Sequence, residues 1–498
     1  MILVVRRSVL IERPVKEVWE FVADLESYPR YFPGVLQMRS EDERAPGTVG
    51  KRYAEIAQVP LRGETRVSVE LVEAVPGERL AFHADLSPVR PRFDVELRDV
   101  GEGHTRLQWS CRSRDESLRV RVGVLPLMRR VLEARARTGL ENLKRLLETG
   151  RDRMRAVRLE RFGSAGEALR LVEDAPLPDM QPDDVLVRVV ASSVNPIDCR
   201  RREGYGRRLF ARRGARPPLV LGRDLAGVVE SVGSAVRRFR PGDPVWGAQD
   251  NFRDGAWAEF AAVRQDELAP KPETLSYEEA AALPYVGLTT WSALVGRAGL
   301  DADGARGLRV LVHAGAGGVG SFAIQLLKAW GAWVATTCST SNVPLVTELG
   351  ADRAVDYTKQ DVSAELGDLD LVLDTLGHDA EAPSLGLLAR RRGARYVTVV
   401  HPALAFTDRF GLLPGALAAA GLLAGRKLAQ GVLHGRRYHW AIAAPDGHAL
   451  AEIGRLVEAG KIRPVIDQVF PLEAMAEAHA RSETGHARGK LVIRVAAR

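Results

Sequence analysis

The sequence predicts a multidomain chain: an α+β domain in which a long helix closes on an antiparallel sheet, then a β-rich domain, then a doubly wound α/β domain. Three observations predict this. Apolar, β-branched runs fill the first 112 residues and give way to a stripe of helical period at 128–147. GVVESVGSAVRRFRPGDPVWG at 227–247 alternates strand-like runs with Gly and Pro-Gly turns, and RVLVHAGAGGVGSFAIQLLKAWG at 309–331 sets a β-branched run, a glycine turn and a helix in succession. At 498 residues the chain exceeds what one hydrophobic core supports, so two to four domains are expected.

In the first domain, SVLIE, GETRVSVELVEAV, RLAFHA, RFDVELRDV and TRLQWSC read as strands, and turn signals at 76–77 (PG) and 101–103 (GEG) make them a meander. Val15, Val18, Trp19 and Val22 recur at helical spacing behind Pro14, which places a short helix after the first strand. From Pro126, the residues Met128, Leu132, Ala136, Leu140, Leu143 and Leu147 form one apolar stripe, with Arg129, Arg130, Arg137, Lys144 and Arg145 off it. His83, Asp85 and His104 are expected at surfaces or strand ends rather than in a cavity.

Composition excludes several classes. With 71 basic against 64 acidic residues the chain is too balanced for a nucleic-acid binder, and residues 112–155 alone hold 13 Lys/Arg against 6 Asp/Glu, an excess equal to the net charge of +7. That region reads as a solvated helix face and a basic linker at 150–155, with a peripheral membrane contact through helix 116–149 as the alternative. Cys111, Cys199 and Cys338 are too scattered for a disulfide framework or a metal knuckle, so a reducing, cytoplasmic location is expected. MILVV is too short for a signal sequence. FGLLPGALAAAGLLAG at 410–425 falls short of the ~20 residues of a membrane span and is expected to be a buried or subunit-facing helix, which leaves a homodimer open.

Gly315, Gly317 and Gly320 satisfy GxGxxG between a strand and a helix, where bare amides at a helix N-terminus hold a pyrophosphate. The following strand, AWVATTCSTSN, ends without the acid that binds a ribose hydroxyl. Its Ser339, Thr340 and Ser341 would not repel a 2′-phosphate, which favours NADPH. No cation stands beside them, so Arg353 or Lys359 would have to fold back.

Two resemblances cover the chain. IERPVKEVWEFVADLESYPRYFPG, the meander and the closing helix make residues 1–149 similar to the START-like superfamily, which includes polyketide cyclases and coenzyme Q-binding proteins; this implies a helix-grip fold around a lipophilic ligand. Residues 153–498, through SSVNPIDCRRREGYG, LGRDLAGVVESVGSAVRRFRPGDPVWG, AALPYVGLTTWSAL, HAGAGGVG, LGADRAVDY and GHARGK, resemble the medium-chain dehydrogenase/reductase superfamily. NPIDxxxRxGYG, LGRDxxGVV, YxWA at 438–441 and GHARGK are similar to its reticulon-interacting, zinc-independent quinone oxidoreductase branch. The implied layout is a GroES-like catalytic domain at 153–285 and 446–498 around a Rossmann domain at 286–445.

That resemblance implies site residues. Asn195 and Asp198 would lie by nicotinamide and substrate, with Tyr205, Tyr285, Thr289, Tyr438 and Trp440 shaping the pocket. Gly317, Gly318, Val319, Gly320, Ser339, Tyr357 and Leu376 would contact the cofactor, approached from the C-terminal return by His486, Ala487 and Arg488. In zinc-dependent members, Arg223's position holds a histidine ligand, and arginine cannot ligate zinc because it carries only donors. Cys199 has no second soft ligand nearby in sequence, so no metal is expected. Arg223 itself is either a pocket-side cation or part of a structural ion pair or carbonyl clamp.

The expected function is hydride transfer from NADPH to a quinone or similar conjugated carbonyl, in an enzyme fused to a hydrophobic-ligand domain. An enoyl or enone reductase with Tyr205 as proton donor, tied to lipid or polyketide biosynthesis, is one alternative. An NADPH-binding accessory protein of quinone biosynthesis is another.

Overall fold

In the computed structural model, which describes residues 1–389 and 393–496, the alternating runs of the first domain form β1 (Ile2–Ile11), β2 (Val35–Ser40), β3 (Arg52–Val59), β4 (Gly63–Val75), β5 (Arg79–Ala84), β6 (Pro91–Asp99) and β7 (Thr105–Ser113). They pair antiparallel in the order β1-β7-β6-β5-β4-β3-β2. One face packs on the helix Leu125–Thr149, which buries Leu132, Ala136, Leu140 and Leu143 among Trp109, Phe82 and Tyr53. Gly150, at φ 70°, ends that helix, and the next strand starts at Arg153.

Three of the six basic residues of the long helix clamp backbone, and a fourth forms an ion pair. Arg129 donates to the Val4 carbonyl at 3.1 Å, Arg135 to that of Gln58 at 2.7 Å, and Lys144 pairs with Glu148 at 2.6 Å. Arg145, expected off the apolar stripe, is buried and donates to the Pro178 carbonyl at 2.7 Å. The compact unit built on Met1–Arg153 also takes in Pro176–Leu186 and Ser231–Arg240, through Asn142 Nδ2 to Asp179 Oδ1 at 2.9 Å and Ser234 Oγ to Glu141.

The second unit comprises Met154–Ala175, Val187–Glu230 and Pro241–Arg498. The β-rich module has β8 (Arg153–Leu159), β9 (Leu169–Pro176), β10 (Asp184–Val194), β11 (Leu219–Val220), β12 (Asp224–Val232), β13 (Pro244–Ala248), β14 (Phe260–Arg264) and β15 (Leu268–Pro270). The α/β module follows with β16 (Arg309–Val312), β17 (Trp333–Cys338), β18 (Arg353–Asp356), β19 (Leu371–Asp374), β20 (Arg395–Thr398) and β21 (Arg437–Trp440), and the chain returns through β22 (Ile466–Pro471) and β23 (Lys490–Arg494). The six strands β18-β17-β16-β19-β20-β21 are parallel, the order of a doubly wound dinucleotide fold. In the mixed sheet β15-β13-β12-β10-β23-β22, the last strand sits between β10 and β22.

The apolar stretch at 410–425 is part of a longer helix than its sequence suggests and is not buried within the chain. It belongs to a 23-residue helix, Leu412–His434, of which only 11% of the most apolar window is buried. It is long and apolar enough to cross a membrane by length and composition. Only a narrow spine, Gly415 and Ala419, is buried, because glycine 415 lets the preceding helix's backbone come within what a Cβ would occupy.

Candidate active site

Asp224 opens β12 and Arg223 immediately precedes it. Asp224 is fully buried and is a four-way acceptor: from Asn195 Nδ2 at 2.8 Å, the Tyr285 backbone N–H at 2.6 Å, Lys490 Nζ at 3.2 Å and the Ser193 hydroxyl. Lys490, 4% exposed, also donates to Asn195 Oδ1. One carboxylate thus joins β10, β12, β23 and the helix Pro284–Trp291. A buried charge is tolerated only when its lone pairs are met in this way.

Arg223 takes no part in this. It is 3% exposed, its guanidinium carbon lies 4.7 Å from the Tyr285 ring centroid, and its Nε has no hydrogen-bond partner. Among the described residues no carboxylate is within ion-pair distance and no carbonyl accepts from it, so the structural ion pair and the carbonyl clamp are both absent. Asp198 interacts with Arg223 through space, and its Oδ2 accepts from the Asn195 N–H at 2.9 Å while its Oδ1 has no partner. Burial raises the Asp198 carboxyl above the usual range, an effect that the Asn195 N–H and the Arg201 and Arg223 charges oppose. Burial likewise raises the Tyr285 phenol, and Thr289 Oγ1 donates back to the Tyr285 carbonyl at 2.7 Å. Asn195, Asp198, Arg223 and Tyr285 are therefore brought together.

Tyr205 stands in a second group. Its hydroxyl faces the His401 carbonyl at 3.4 Å, Arg200 lies 5.9 Å from its ring centroid, and burial raises its phenol. His401 stacks on Trp440 at 5.0 Å, and Trp440 Nε1 donates to the Tyr438 hydroxyl at 3.3 Å. Tyr438, expected in the pocket, is instead core: it is buried and stacks on Tyr396 at 5.1 Å. No hydrogen bond among the described residues links this group to Arg223.

The cofactor loop fits its proposed guest. A Cβ on Gly315 would lie 2.1 Å from Thr336 Oγ1 and one on Gly320 2.2 Å from the Ala314 carbonyl, so both close contacts require glycine. Gly317 caps the helix Gly318–Ala329 with no side-chain cap, which leaves the N–H groups of Gly318, Val319 and Gly320 facing the loop as an anion cradle. Gly489 pairs with Gly317 as a parallel bridge, its N–H donating to the Ala316 carbonyl at 2.7 Å, which sets His486, Ala487 and Arg488 beside the loop. Ser339, Tyr357 and Leu376 follow β17, β18 and β19 at the carboxyl edge of the parallel sheet, and Asp374 fixes Leu376 by accepting its N–H at 2.9 Å.

The cation beside the serines comes from elsewhere than expected. Arg353 pairs with Glu365 and Lys359 lies 3.8 Å from Asp356, whereas Arg488 Nη2 reaches the Ser341 carbonyl at 3.4 Å.

The view that Cys199 lacks a companion ligand is also corrected: His479 and Glu483 bring donor atoms within 4.8 Å of it and of each other. Arg202 enters that group, 2.5 Å from Glu483 Oε1 and 3.5 Å from His479 Nδ1, with its side chain 2% exposed. A buried guanidinium there already supplies the positive charge a metal would bring. Burial and Arg202 push His479 down to about 3, which keeps its imidazole neutral.

Sequence reasoning marks Asp224 only as a charge beside Arg223 in an apolar run and misses Ser193, Asp374 and Lys490. The signal for two was present: Asp224 and Lys490 are opposite charges in otherwise apolar strand runs, LGRDLAGVV and KLVIRV.

Comparison with known proteins matches three family profiles: polyketide cyclase / dehydrase and lipid transport at 3–148, alcohol dehydrogenase GroES-like domain at 181–273, and zinc-binding dehydrogenase at 349–493. The mitochondrial NAD(P)H oxidoreductase RTN4IP1 of Danio rerio is 42% identical over 350 residues, covering 68% of this chain and 90% of the relative. The 2-methylene-furan-3-one reductase of Solanum lycopersicum is 35% identical, covering 67% and 76%. The quinone oxidoreductase structure from Coxiella burnetii is 33% identical, with a TM-score of 0.59 over 69% of this chain and 99% of that one.

Proposed function

Since the chain belongs to the NAD(P)H oxidoreductase family of the medium-chain dehydrogenase/reductase superfamily, we propose that it is a zinc-independent, NADPH-dependent reductase of quinones, fused to a domain that binds a hydrophobic ligand. The observation that carries this is Arg223: a buried guanidinium with no anionic partner, stacked on Tyr285 where zinc-dependent members place a metal ligand. NADPH, when bound, supplies the hydride. Arg223 then offers free donors to the oxygen on which charge collects, a role a metal would otherwise fill. Asp198, with its raised carboxyl and unpartnered Oδ1, is placed to return a proton to that oxygen. Arg488 and Ser339 meet the 2′-phosphate, and Asp224 with Lys490 holds Asn195 in place without touching substrate.

The test is stopped-flow oxidation of NADPH by short-chain ubiquinone analogues in metal-free buffer. Turnover that survives chelation is expected. No turnover with any quinone, alongside turnover of enones, overturns the reading.

One observation favours the enone alternative. Tyr205's half-buried hydroxyl donates to the His401 carbonyl over a long 3.4 Å, a bond weak enough to be exchanged for one to substrate. Tyr205→Phe separates the two, since it cripples enone reduction and leaves quinone reduction, protonated elsewhere, within about threefold.

A further inference from the structure

The cavity of the first domain holds about 420 Å³, room for a drug-sized molecule. Most of its wall is apolar, including Phe32, Phe82, Phe93, Leu127 and Met128. Five polar residues interrupt it: Tyr28, Glu55, Arg135, Arg62 and Ser87, of which Arg62 spends a donor on the Ser87 carbonyl at 2.9 Å. Glu55 is anomalous. It lies in β3 between Tyr53 and Ala57 on the core-facing side, where the alternation calls for an apolar residue, opposite Val67 and Met38.

Its side chain is 9% exposed, yet it makes no hydrogen bond and no ion pair. Arg135 acts on it only through space and donates to the Gln58 carbonyl instead, its guanidinium lying against Gly34 where a Cβ would collide at 2.4 Å, a position also at φ +88°. The Tyr28 hydroxyl accepts from Trp109 Nε1 at 3.0 Å, and no residue accepts its own proton. A carboxyl buried without a donor is costly, so its lone pairs call for a ligand donor.

We propose that this cavity binds an apolar molecule carrying a hydroxyl donor, a phenol, which gives its proton's hydrogen bond to the Glu55 carboxylate and accepts from Tyr28. A quinone, which has only acceptors, satisfies Tyr28 and leaves Glu55 unpaired. The site therefore prefers the hydroquinone to the quinone. Identifying that hydroquinone with the product of the second unit rests on the quinone reading above; the phenol preference does not. Burial raises the Glu55 carboxyl to about 7, so above neutrality it is an anionic group with acceptors only, and below it the protonated carboxyl can also donate to a quinone oxygen.

The test uses the full chain without NADPH at pH 8.5, titrated calorimetrically with 4-octylphenol and with its methyl ether. Neither is a redox substrate, so the outcome is independent of whether the second unit reduces quinones. The phenol is expected to bind about tenfold or more tighter, the scale of a hydrogen bond to a charged group. Glu55→Leu removes the preference, and Glu55→Gln, which keeps the shape and a neutral acceptor, reduces it to about threefold. Equal binding of phenol and ether, no binding of either, or a preference unchanged in both variants overturns the proposal.

Discussion

Three residues define what this chain can be asked to do. Arg223 has no hydrogen bond or ion pair to lose, only its place over the Tyr285 ring, so Arg223→Ala is expected to lower Tm by no more than a few degrees while lowering kcat by about 100-fold, the scale of one oxyanion donor; an unchanged kcat would make it a packing residue. Lys490→Met has the opposite signature, because it strands a buried carboxylate. It should cost about 3–5 kcal/mol of stability by chemical denaturation. Glu55 carries a pH signature. A carboxyl raised from its ordinary value to about 7 in the folded state resists ionising, so stability is full below about pH 4.5 and falls as pH rises toward 7 and beyond. Glu55→Gln should therefore raise Tm by a few degrees at pH 8 and leave it unchanged at pH 4.5; equal shifts at both would remove the titration.

At the scale of elements, the periodic ones were legible and the tertiary ones were not. The stripe from Leu132 to Leu143 and the glycine loop at 315–320 follow from spacing alone, because a 3.6-residue period and a close backbone approach leave local marks. The cation beside Ser341 left none, since Arg488 arrives from 147 residues away and only the Gly317–Gly489 bridge brings it in. Arg488→Ala is expected to raise KM for NADPH about tenfold or more while leaving that for NADH within twofold, read from initial rates with both cofactors. Tyr438 was misjudged for a related reason: a tyrosine on an edge strand faces pocket or core depending on what lies behind the sheet, here Tyr396. Arg145 and the helix Leu412–His434 failed in opposite directions. Burial of an arginine and exposure of an apolar helix are both set by neighbours distant in sequence, Pro178 for the first and a narrow glycine-alanine spine for the second.

At the scale of the whole molecule, the sequence separates two functions that the fold treats differently. The first unit's cavity is lined by residues between Tyr28 and Arg135, on a sheet and helix that lie within residues 2–149. The second unit's site is not so local. Asn195 meets Lys490 across 295 residues, with the parallel sheet inserted between them. The buried trio of Asn195, Asp224 and Lys490 therefore gives the reductase a temporal order: Asp224 meets Ser193, Asn195 and Tyr285 first and lacks its one cation until β23 emerges and inserts between β10 and β22. On the ribosome this makes ligand capture the early competence and reduction the late one. A nascent chain stalled before Lys490 would hold its ligand, yet it could not consume NADPH.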